Sequence, residues 1–162
     1  MKKVLYFAYG SNLSESRLVN RVGNVKVVGN FALHGYDLTF NASNGYSSYA
    51  NITKVKYSSY VEGVLYDLTN RQFELLDRYE GLYSRYYFDV NVNTLGCVYI
   101  ANEQVEGAPT DRFYLDIIRD ECRRLNFLRN YDAVSKQYAN SIEHKFGVKS
   151  KKKRNGRVSY FI

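Results

Sequence analysis

The sequence has little cysteine and no paired cysteine motif. Its two cysteines, Cys97 and Cys122, lie far apart, and neither belongs to a Cys-x-x-Cys pair or to a cluster with histidine. A zinc or other metal site is therefore not expected. Two isolated thiols in a chain without a secretory leader indicate a reducing compartment, so we predict a cytoplasmic protein. Both thiols fall in apolar surroundings and are expected to be core residues rather than nucleophiles.

Long hydrophobic runs are missing as well. No segment approaches the roughly 20 apolar residues that a membrane-spanning helix needs. The apolar run near the N-terminus, residues 4–8, ends at a turn and is too short for the core of a signal peptide. We therefore expect a soluble protein with no membrane partner.

Other residue types that commonly take part in catalysis are few or do not form a known catalytic motif. The two histidines, His34 and His144, fall in different predicted elements. The chain lacks the glycine-rich motifs that bind nucleotide phosphates and the Gly-x-Ser-x-Gly turn of serine hydrolases. These absences argue against P-loop nucleotide hydrolysis and against serine-hydrolase chemistry.

Acidic residues are absent from the last segment of the chain, residues 149–162. This segment carries six basic side chains, so the net charge of +7 falls to 7 − 6 = +1 for residues 1–148. We predict one domain over residues 1–148 and a basic tail over residues 149–162. Such a tail can attract RNA or anionic lipid weakly, but a solvated end is its commoner role. Nucleic acid is therefore not expected as a partner of the domain itself.

The composition suits one folded domain, because 45% of the 162 residues are apolar and 17 are tyrosine. Short apolar or alternating runs predict strands at residues 3–8, 25–40, 50–57, 61–68, 85–92 and 96–101. Helical spacing predicts helices at residues 15–22, 70–79, 111–125 and 131–146. An asparagine- and serine-rich loop is expected at residues 41–48. This order predicts an α+β fold, with a mixed sheet or small barrel and helices packed on it.

Capping residues mark the ends of the predicted helices. Ser14 is expected to cap the first helix, and Thr69 with Gln72 forms a capping box for the second. Gly81 stands where a left-handed glycine commonly ends a helix. Thr110 is expected to cap the third helix.

The turn after the first strand is one candidate site. Gly10, Ser11 and Asn12 stand between that strand and the first helix, so several main-chain N–H groups can point in one direction. Such a junction can hold a carboxylate or an oxyanion. An ordinary turn before a capped helix explains the same residues, and the pattern alone leaves both interpretations open.

Glu80 is the other candidate. Phe73, Leu76 and Glu80 are spaced at i, i+3 and i+7, which places the carboxyl on an apolar helix face. Burial on that face raises the pKa of a carboxyl toward neutrality, which a general acid/base needs.

Spacing alone leaves two alternatives open for this carboxyl. Glu80 can instead reach solvent from the helix end, or pair with Arg78 or Arg85. Asp77, one turn earlier on the predicted helix, is a competing carboxyl.

These candidate residues lie in segments that resemble the gamma-glutamylcyclotransferase-like superfamily. The matching segments, in chain order, are YFAYGSNL (residues 6–13), VEGVLYDL (61–68), LDRYEG (76–81) with Tyr83 and Tyr86 after it, and Ala108-Pro109 leading to Tyr114. The first motif is specific, and the ordered set is more so. Residues 25–57 and the basic tail match little of the family pattern, so the resemblance says least about the substrate.

The resemblance implies a small mixed β-barrel with flanking helices. It also implies an enzyme that cleaves a gamma-glutamyl amide by internal cyclisation and releases 5-oxoproline and an amine, without a metal or an organic cofactor. Glu80 carries over as the acid/base. The substrate-binding residues that carry over are Tyr6, Phe7, Ala8, Tyr9, Gly10, Ser11, Asn12 and Tyr114.

The expected partner is thus a small gamma-glutamyl substrate, and a homodimer is left open. Two other functions also stay open. One is a related enzyme of the same fold that acts on a different amide. The other is a non-catalytic module of this fold that binds a small molecule.

Overall fold

A computed structural model describes the backbone of residues 1–147 and the side chains of residues 1–141, and it confirms the α+β class. The predicted basic tail lies outside the described residues. In chain order the elements are β1 (Lys3–Ala8), α1 (Glu15–Val22), β2 (Lys26–His34), β3 (Tyr36–Ser43), β4 (Ser48–Lys54), β5 (Tyr60–Asp67), α2 (Asn70–Tyr79), β6 (Tyr83–Asn91), β7 (Thr94–Ala101), α3 (Arg112–Leu125) and α4 (Leu128–Gly147). A short 3₁₀ turn, Ser11–Leu13, separates β1 from α1.

The main sheet has five strands in the order β2-β5-β1-β7-β6, with β1 in the centre. Strand β1 pairs antiparallel with β5 and parallel with β7. Its last four residues are all buried, as expected for a central strand that is covered on both faces. The chain therefore leaves the middle of the sheet at Ala8 and enters the candidate loop from inside the core.

Strands β3 and β4 form a separate two-stranded ribbon, so the word barrel describes this fold only loosely. Gly35, at φ 87°, turns the chain from β2 into β3, a backbone conformation that glycine adopts readily. Within residues 1–147 the five-stranded sheet ends at β2 and β6 and does not close. The Asn51 side chain ties the ribbon to β7, accepting a 2.9 Å hydrogen bond from the Ala101 N–H.

The two N-terminal caps predicted for α1 and α2 are confirmed. The Ser14 hydroxyl accepts from the Arg17 N–H. The Thr69 hydroxyl accepts from the Gln72 N–H, and the Gln72 side chain accepts from the Thr69 N–H. Each cap is a contact within one helical turn, so the local sequence is sufficient to define it.

Two other predicted end signals have different outcomes. Gly81 does follow the C-cap of α2, which is Glu80 at φ −108°, so its predicted position is right, but Gly81 is not among the residues with positive φ. The predicted cap of α3 is wrong. Asp111, not Thr110, caps α3, because its carboxylate accepts from the N–H groups of Phe113 and Tyr114. The Thr110 hydroxyl instead lies 2.6 Å from that of Ser48, which joins the start of α3 to the ribbon.

Several predicted boundaries shift. The loop expected at residues 41–48 contains only residues 44–47, because residues 41–43 belong to β3 and Ser48 begins β4. The buried Asn41 side chain accepts a 2.8 Å hydrogen bond from Asn51, so a polar residue in this strand is satisfied. Strand β4 ends at Lys54 rather than at residue 57, and α4 begins at Leu128 rather than at residue 131.

Both cysteines are buried and free, Cys97 in β7 and Cys122 in α3, as the sequence predicts for core thiols. His34 ends β2, where its ring stacks on Tyr57. Among the described helices, none combines the length and the apolar character that crossing a bilayer requires.

Candidate active site

The loop after β1 is wholly inside the protein. Tyr6, Phe7, Ala8, Tyr9, Gly10, Ser11 and Asn12 are all buried. Within the 3₁₀ turn, the Leu13 N–H donates to the Gly10 carbonyl at 3.0 Å and the Ser14 N–H donates to the Ser11 carbonyl at 3.2 Å. The Leu13 N–H is thus used by the turn itself. Fewer main-chain N–H groups can therefore bind a ligand than the strand–turn–helix pattern suggests.

Asn12 holds this loop to its surroundings through both ends of its side chain. Its amide nitrogen donates to the Tyr6 hydroxyl at 3.0 Å, and its amide oxygen accepts from Arg21 at 3.3 Å. The Tyr66 hydroxyl donates to the Asn12 carbonyl at 3.2 Å. Because these contacts are buried and directional, the loop is held in one conformation before any ligand arrives.

Glu80 lies at the end of α2 and is 2% exposed. Phe73 and Leu76, the residues that predict its apolar face, are also buried. The Glu80 N–H donates to the Asp77 carbonyl, and the Glu80 carbonyl accepts from the Tyr83 N–H at 2.9 Å. The main chain on both sides of the carboxyl is therefore fixed by hydrogen bonds.

Arg21 brings the loop and the carboxyl together. Its guanidinium lies 3.8 Å from Glu80 Oε1 and 3.3 Å from Asn12 Oδ1. Since the side chains of Arg21 and Glu80 are 9% and 0% exposed, this ion pair is shielded from water. The two candidate sites of the sequence thus form one site, with α1 supplying the residue between them.

The competing carboxyl has a different environment. Asp77 is paired with Arg85 at the surface, where its side chain is 43% exposed, and it also accepts from the Tyr99 hydroxyl. Arg85 is therefore committed to Asp77. Of the two candidate carboxyls, Asp77 and Glu80, it is Glu80 that Arg21 links to the loop.

Four buried tyrosines lie close enough to Glu80 for its charge to affect their pKa: Tyr6, Tyr9, Tyr83 and Tyr114. Burial is the largest cause that raises the pKa of each phenol above its usual value, and the charge of Glu80 is a further cause in each case. These hydroxyls therefore remain neutral, and those of Tyr9 and Tyr83 already donate to the main-chain carbonyls of Tyr99 and Ala50.

Tyr114 and Tyr83 connect the site to the ribbon through one residue. The Tyr114 hydroxyl accepts from the Ala50 N–H at 2.9 Å, and the Tyr83 hydroxyl donates to the Ala50 carbonyl at 2.7 Å. The structure thus brings Tyr114, the predicted substrate-side tyrosine on α3, close to Glu80. It also brings β4 to the edge of the site.

Phe7 is a predicted substrate-binding residue whose side chain lies outside the site. Its ring packs edge-on against Phe31 and Phe88, with centroid distances of 6.1 and 5.7 Å. The neighbouring Tyr6 ring packs instead against Tyr66 and Tyr99. This alternation is that of a β-strand, so Phe7 contributes only main chain to the site.

Arg21 and Tyr83 are residues of this site that sequence reasoning did not assign to it. A signal for Arg21 exists, because it lies three residues after the buried Leu18 on α1, the helix that directly follows the loop. The resemblance marks Tyr83 as one of two tyrosines that follow the LDRYEG segment, but it does not assign Tyr83 a place in the site. Among the described side chains, those of residues 1–141, no three or more His, Cys, Asp or Glu side chains converge as a metal site would require.

Comparison with known proteins agrees with this architecture. A solved structure called gamma-glutamyl cyclotransferase superposes with a TM-score of 0.66 at 21% identity, over 96% of this chain and 93% of that one. An uncharacterized protein from Homo sapiens superposes with a TM-score of 0.64 at 22% identity, over 96% of this chain and 92% of that one. At these identities the likeness shows that the fold is shared.

A third solved structure is longer. YkqA from Bacillus subtilis superposes with a TM-score of 0.67 at 19% identity, covering 84% of this chain and 54% of YkqA. The chain therefore spans about half the length of that protein. Among curated protein sequences, no relative matches this chain significantly.

Sequence comparison identifies the family as well as the fold. The family model described as "Gamma-glutamyl cyclotransferase, AIG2-like" matches residues 6–116, which run from the end of β1 into α3. The matched range contains the buried loop, Arg21, Glu80 and Tyr114. Because the match covers most of the chain, the protein belongs to the gamma-glutamyl cyclotransferase, AIG2-like family.

Proposed function

We propose that this protein cleaves a gamma-glutamyl amide by attack of the substrate's own α-amine on the γ-carbonyl, releasing 5-oxoproline and a free amine or amino acid. Membership of the family supports this reaction type. The observation that carries the proposal is the buried Glu80 carboxyl, which a single arginine links to the loop after β1.

Proton transfer is the work that Glu80 performs in this scheme. The substrate's α-ammonium loses two protons on becoming the lactam N–H, and the departing nitrogen gains two on leaving as an ammonium. The reaction is therefore neutral in protons, and one carboxyl can balance it by carrying a proton from the α-nitrogen to the leaving group twice in succession. General acid–base catalysis of this kind contributes about 10²- to 10⁴-fold.

The loop and the tyrosines supply the rest of the chemistry. Attack forms the new C–N bond and places negative charge on the γ-carbonyl oxygen until the amide C–N bond breaks. Donors that are already oriented stabilise such an oxyanion without reorganising. The buried turn at Ser11–Leu13, and the Tyr6 and Tyr114 hydroxyls that accept hydrogen bonds from Asn12 and Ala50, are the groups that we assign to this role. Because both reacting groups belong to one molecule, holding the substrate folded lowers the barrier further.

The test is to incubate the protein with several gamma-glutamyl dipeptides and with gamma-glutamyl-lysine, and to measure 5-oxoproline. We expect Glu80→Gln to lower kcat by about 10²-fold or more, because the amide keeps the shape but cannot carry the proton. Glu74→Gln is the matched control, since Glu74 lies on the same helix with its side chain 65% exposed.

Two outcomes contradict the proposal in different ways. A folded wild-type protein that releases no 5-oxoproline from any of these substrates favours a different amide substrate or a binding module. Turnover on a gamma-glutamyl amide that Glu80→Gln leaves unchanged removes Glu80 from its role while keeping the reaction.

A further inference from the structure

Arg21 occupies a position that the proton transfer does not explain. Its guanidinium lies between the amide oxygen of Asn12 at 3.3 Å and the carboxylate of Glu80 at 3.8 Å. At 3.8 Å the contact with Glu80 is an ion pair that is longer than a hydrogen bond. Arg21 therefore interacts with the loop at least as closely as it does with the Glu80 carboxylate.

The surroundings hold this guanidinium in place. Arg21 is 9% exposed at its side chain, and its guanidinium carbon lies 5.2 Å from the centre of the Tyr79 ring. Burying a cation is costly, and proteins retain such residues where a partner of opposite charge offsets the cost. A cation fixed by stacking over a ring presents its N–H fork in a defined direction.

A second arginine adds to the positive side of the site. Arg17 lies one helical turn before Arg21 on α1. Burial is the main influence on Tyr114 and raises its pKa, Glu80 acts in the same direction, and both arginines act in the opposite direction. The site is therefore bordered by positive charge on the α1 side and by the Glu80 carboxylate at the end of α2.

A gamma-glutamyl group carries the matching pair of charges at its α-carbon, an ammonium and a carboxylate. We propose that Arg21 binds the α-carboxylate of the substrate, while Glu80 faces the α-ammonium. This inference rests on the proposed function and deepens it, because it names the group by which the site recognises the glutamyl half. On binding, each member of the existing ion pair gains a substrate charge of opposite sign, and the planar fork of arginine suits a carboxylate.

Selectivity follows from this arrangement. A ligand that lacks only the α-carboxylate cannot form the charge-assisted hydrogen bond with Arg21. A hydrogen bond to a charged group is worth enough to change affinity by roughly 10- to 100-fold. The amine half of the substrate takes no part in this contact, so Arg21 selects for glutamyl and not for the leaving group.

The experiment compares two lactams that differ by one carboxylate, 5-oxoproline and 2-pyrrolidinone, as ligands of the purified full chain in titration calorimetry or ligand-observed NMR. The variants are Arg21→Gln and Arg21→Lys, with Arg71→Gln as the control at an exposed arginine on α2. Thermal unfolding of each variant identifies any that fail to fold.

We expect wild type and Arg71→Gln to prefer 5-oxoproline by roughly 10- to 100-fold. Arg21→Gln should lose most of that preference through weaker binding of 5-oxoproline alone. Arg21→Lys should keep part of it, because the charge remains while the fork is lost. In turnover, Arg21→Gln should raise KM for a gamma-glutamyl amide more than it lowers kcat.

The proposal is overturned if wild type binds 5-oxoproline no better than 2-pyrrolidinone. It is also overturned if a folded Arg21→Gln keeps the wild-type preference, or loses affinity for both lactams equally, as a merely structural role predicts. Lactam binding does not depend on turnover. A wild type that prefers 5-oxoproline but releases none from gamma-glutamyl amides therefore contradicts the proposed reaction and not the role of Arg21.

Discussion

The Tyr99 hydroxyl donates a 2.6 Å hydrogen bond to the carboxylate of Asp77, joining β7 to the last turn of α2. Arg85 on β6 binds the same carboxylate. The main-chain carbonyl of Asp77 accepts from the N–H of Glu80. This cluster therefore fixes the helix end that carries the proposed acid/base, although the Asp77 side chain itself is 43% exposed.

Replacing Asp77 with Asn should lower the free energy of unfolding by about 1 kcal/mol at pH 7, a value that allows for the partial exposure of the pair. Burial acts to raise the pKa of Asp77, but the hydrogen bonds from Arg85 and Tyr99 outweigh it, and the net pKa is lowered. A carboxyl with a lowered folded pKa stabilises the protein above its unfolded pKa of about 4. That stabilisation is lost as the pH falls through the folded value.

Urea unfolding at pH 7 and well below pH 4 measures this effect. The difference between wild type and Asp77→Asn should be present at pH 7 and shrink in acid. Asp132→Asn is the control, since Asp132 forms an exposed i,i+4 pair with Lys136 on α4, and such pairs contribute little. A difference between wild type and Asp77→Asn that is the same at both pH values contradicts the assignment.

Gly63 is required by close packing. A Cβ at this position would lie 2.5 Å from the carbonyl oxygen of Ala8 and would also overlap the ring of Phe7. Because the obstacle includes main chain of the central strand, Gly63→Ala should destabilise the protein by about 1–3 kcal/mol, measured as the shift in urea unfolding.

Gly81 provides the contrast. A Cβ there has nothing within 4 Å, and its φ is not positive. Gly81→Ala should therefore be neutral or stabilising by up to about 1 kcal/mol. A large loss of stability in Gly81→Ala would show that the glycine is needed in a left-handed conformation after all, as the sequence alone suggests.

The two cysteines should be unreactive in the folded protein. Burial is the main cause that raises the pKa of Cys97 and of Cys122 to about 12, and the thiolate is the reactive form. At pH 8 the thiolate is then about one part in 10⁴ of each thiol. We expect Ellman's reagent to titrate neither cysteine in native protein and both in guanidinium chloride. Rapid native labelling with loss of 5-oxoproline release would instead mark one of them as part of the site.

Much of the local structure follows from the sequence, because its causes lie within one turn of the chain. The Ser14 cap and the Thr69–Gln72 capping box depend on residues at most three positions apart, and both form as predicted. The burial of Glu80 follows from its spacing with two apolar residues on α2. Thr110 fails as a cap because its hydroxyl contacts Ser48, which is distant in sequence, and Gly81 follows the C-cap as predicted but without a positive φ.

Sequence by itself therefore determined the α+β class, most element positions, the turn after β1 and the inward face of α2. Only the tertiary structure decided that Arg21 would stand between Asn12 and Glu80, and that β3 and β4 would form a separate ribbon held by Tyr83 and Tyr114. The physical reason is the separation in sequence between the residues that make each contact. Helical and strand periodicity record which side of an element is apolar, but they do not record which distant element packs there. That choice depends on strand order and on the shapes of side chains far apart in sequence.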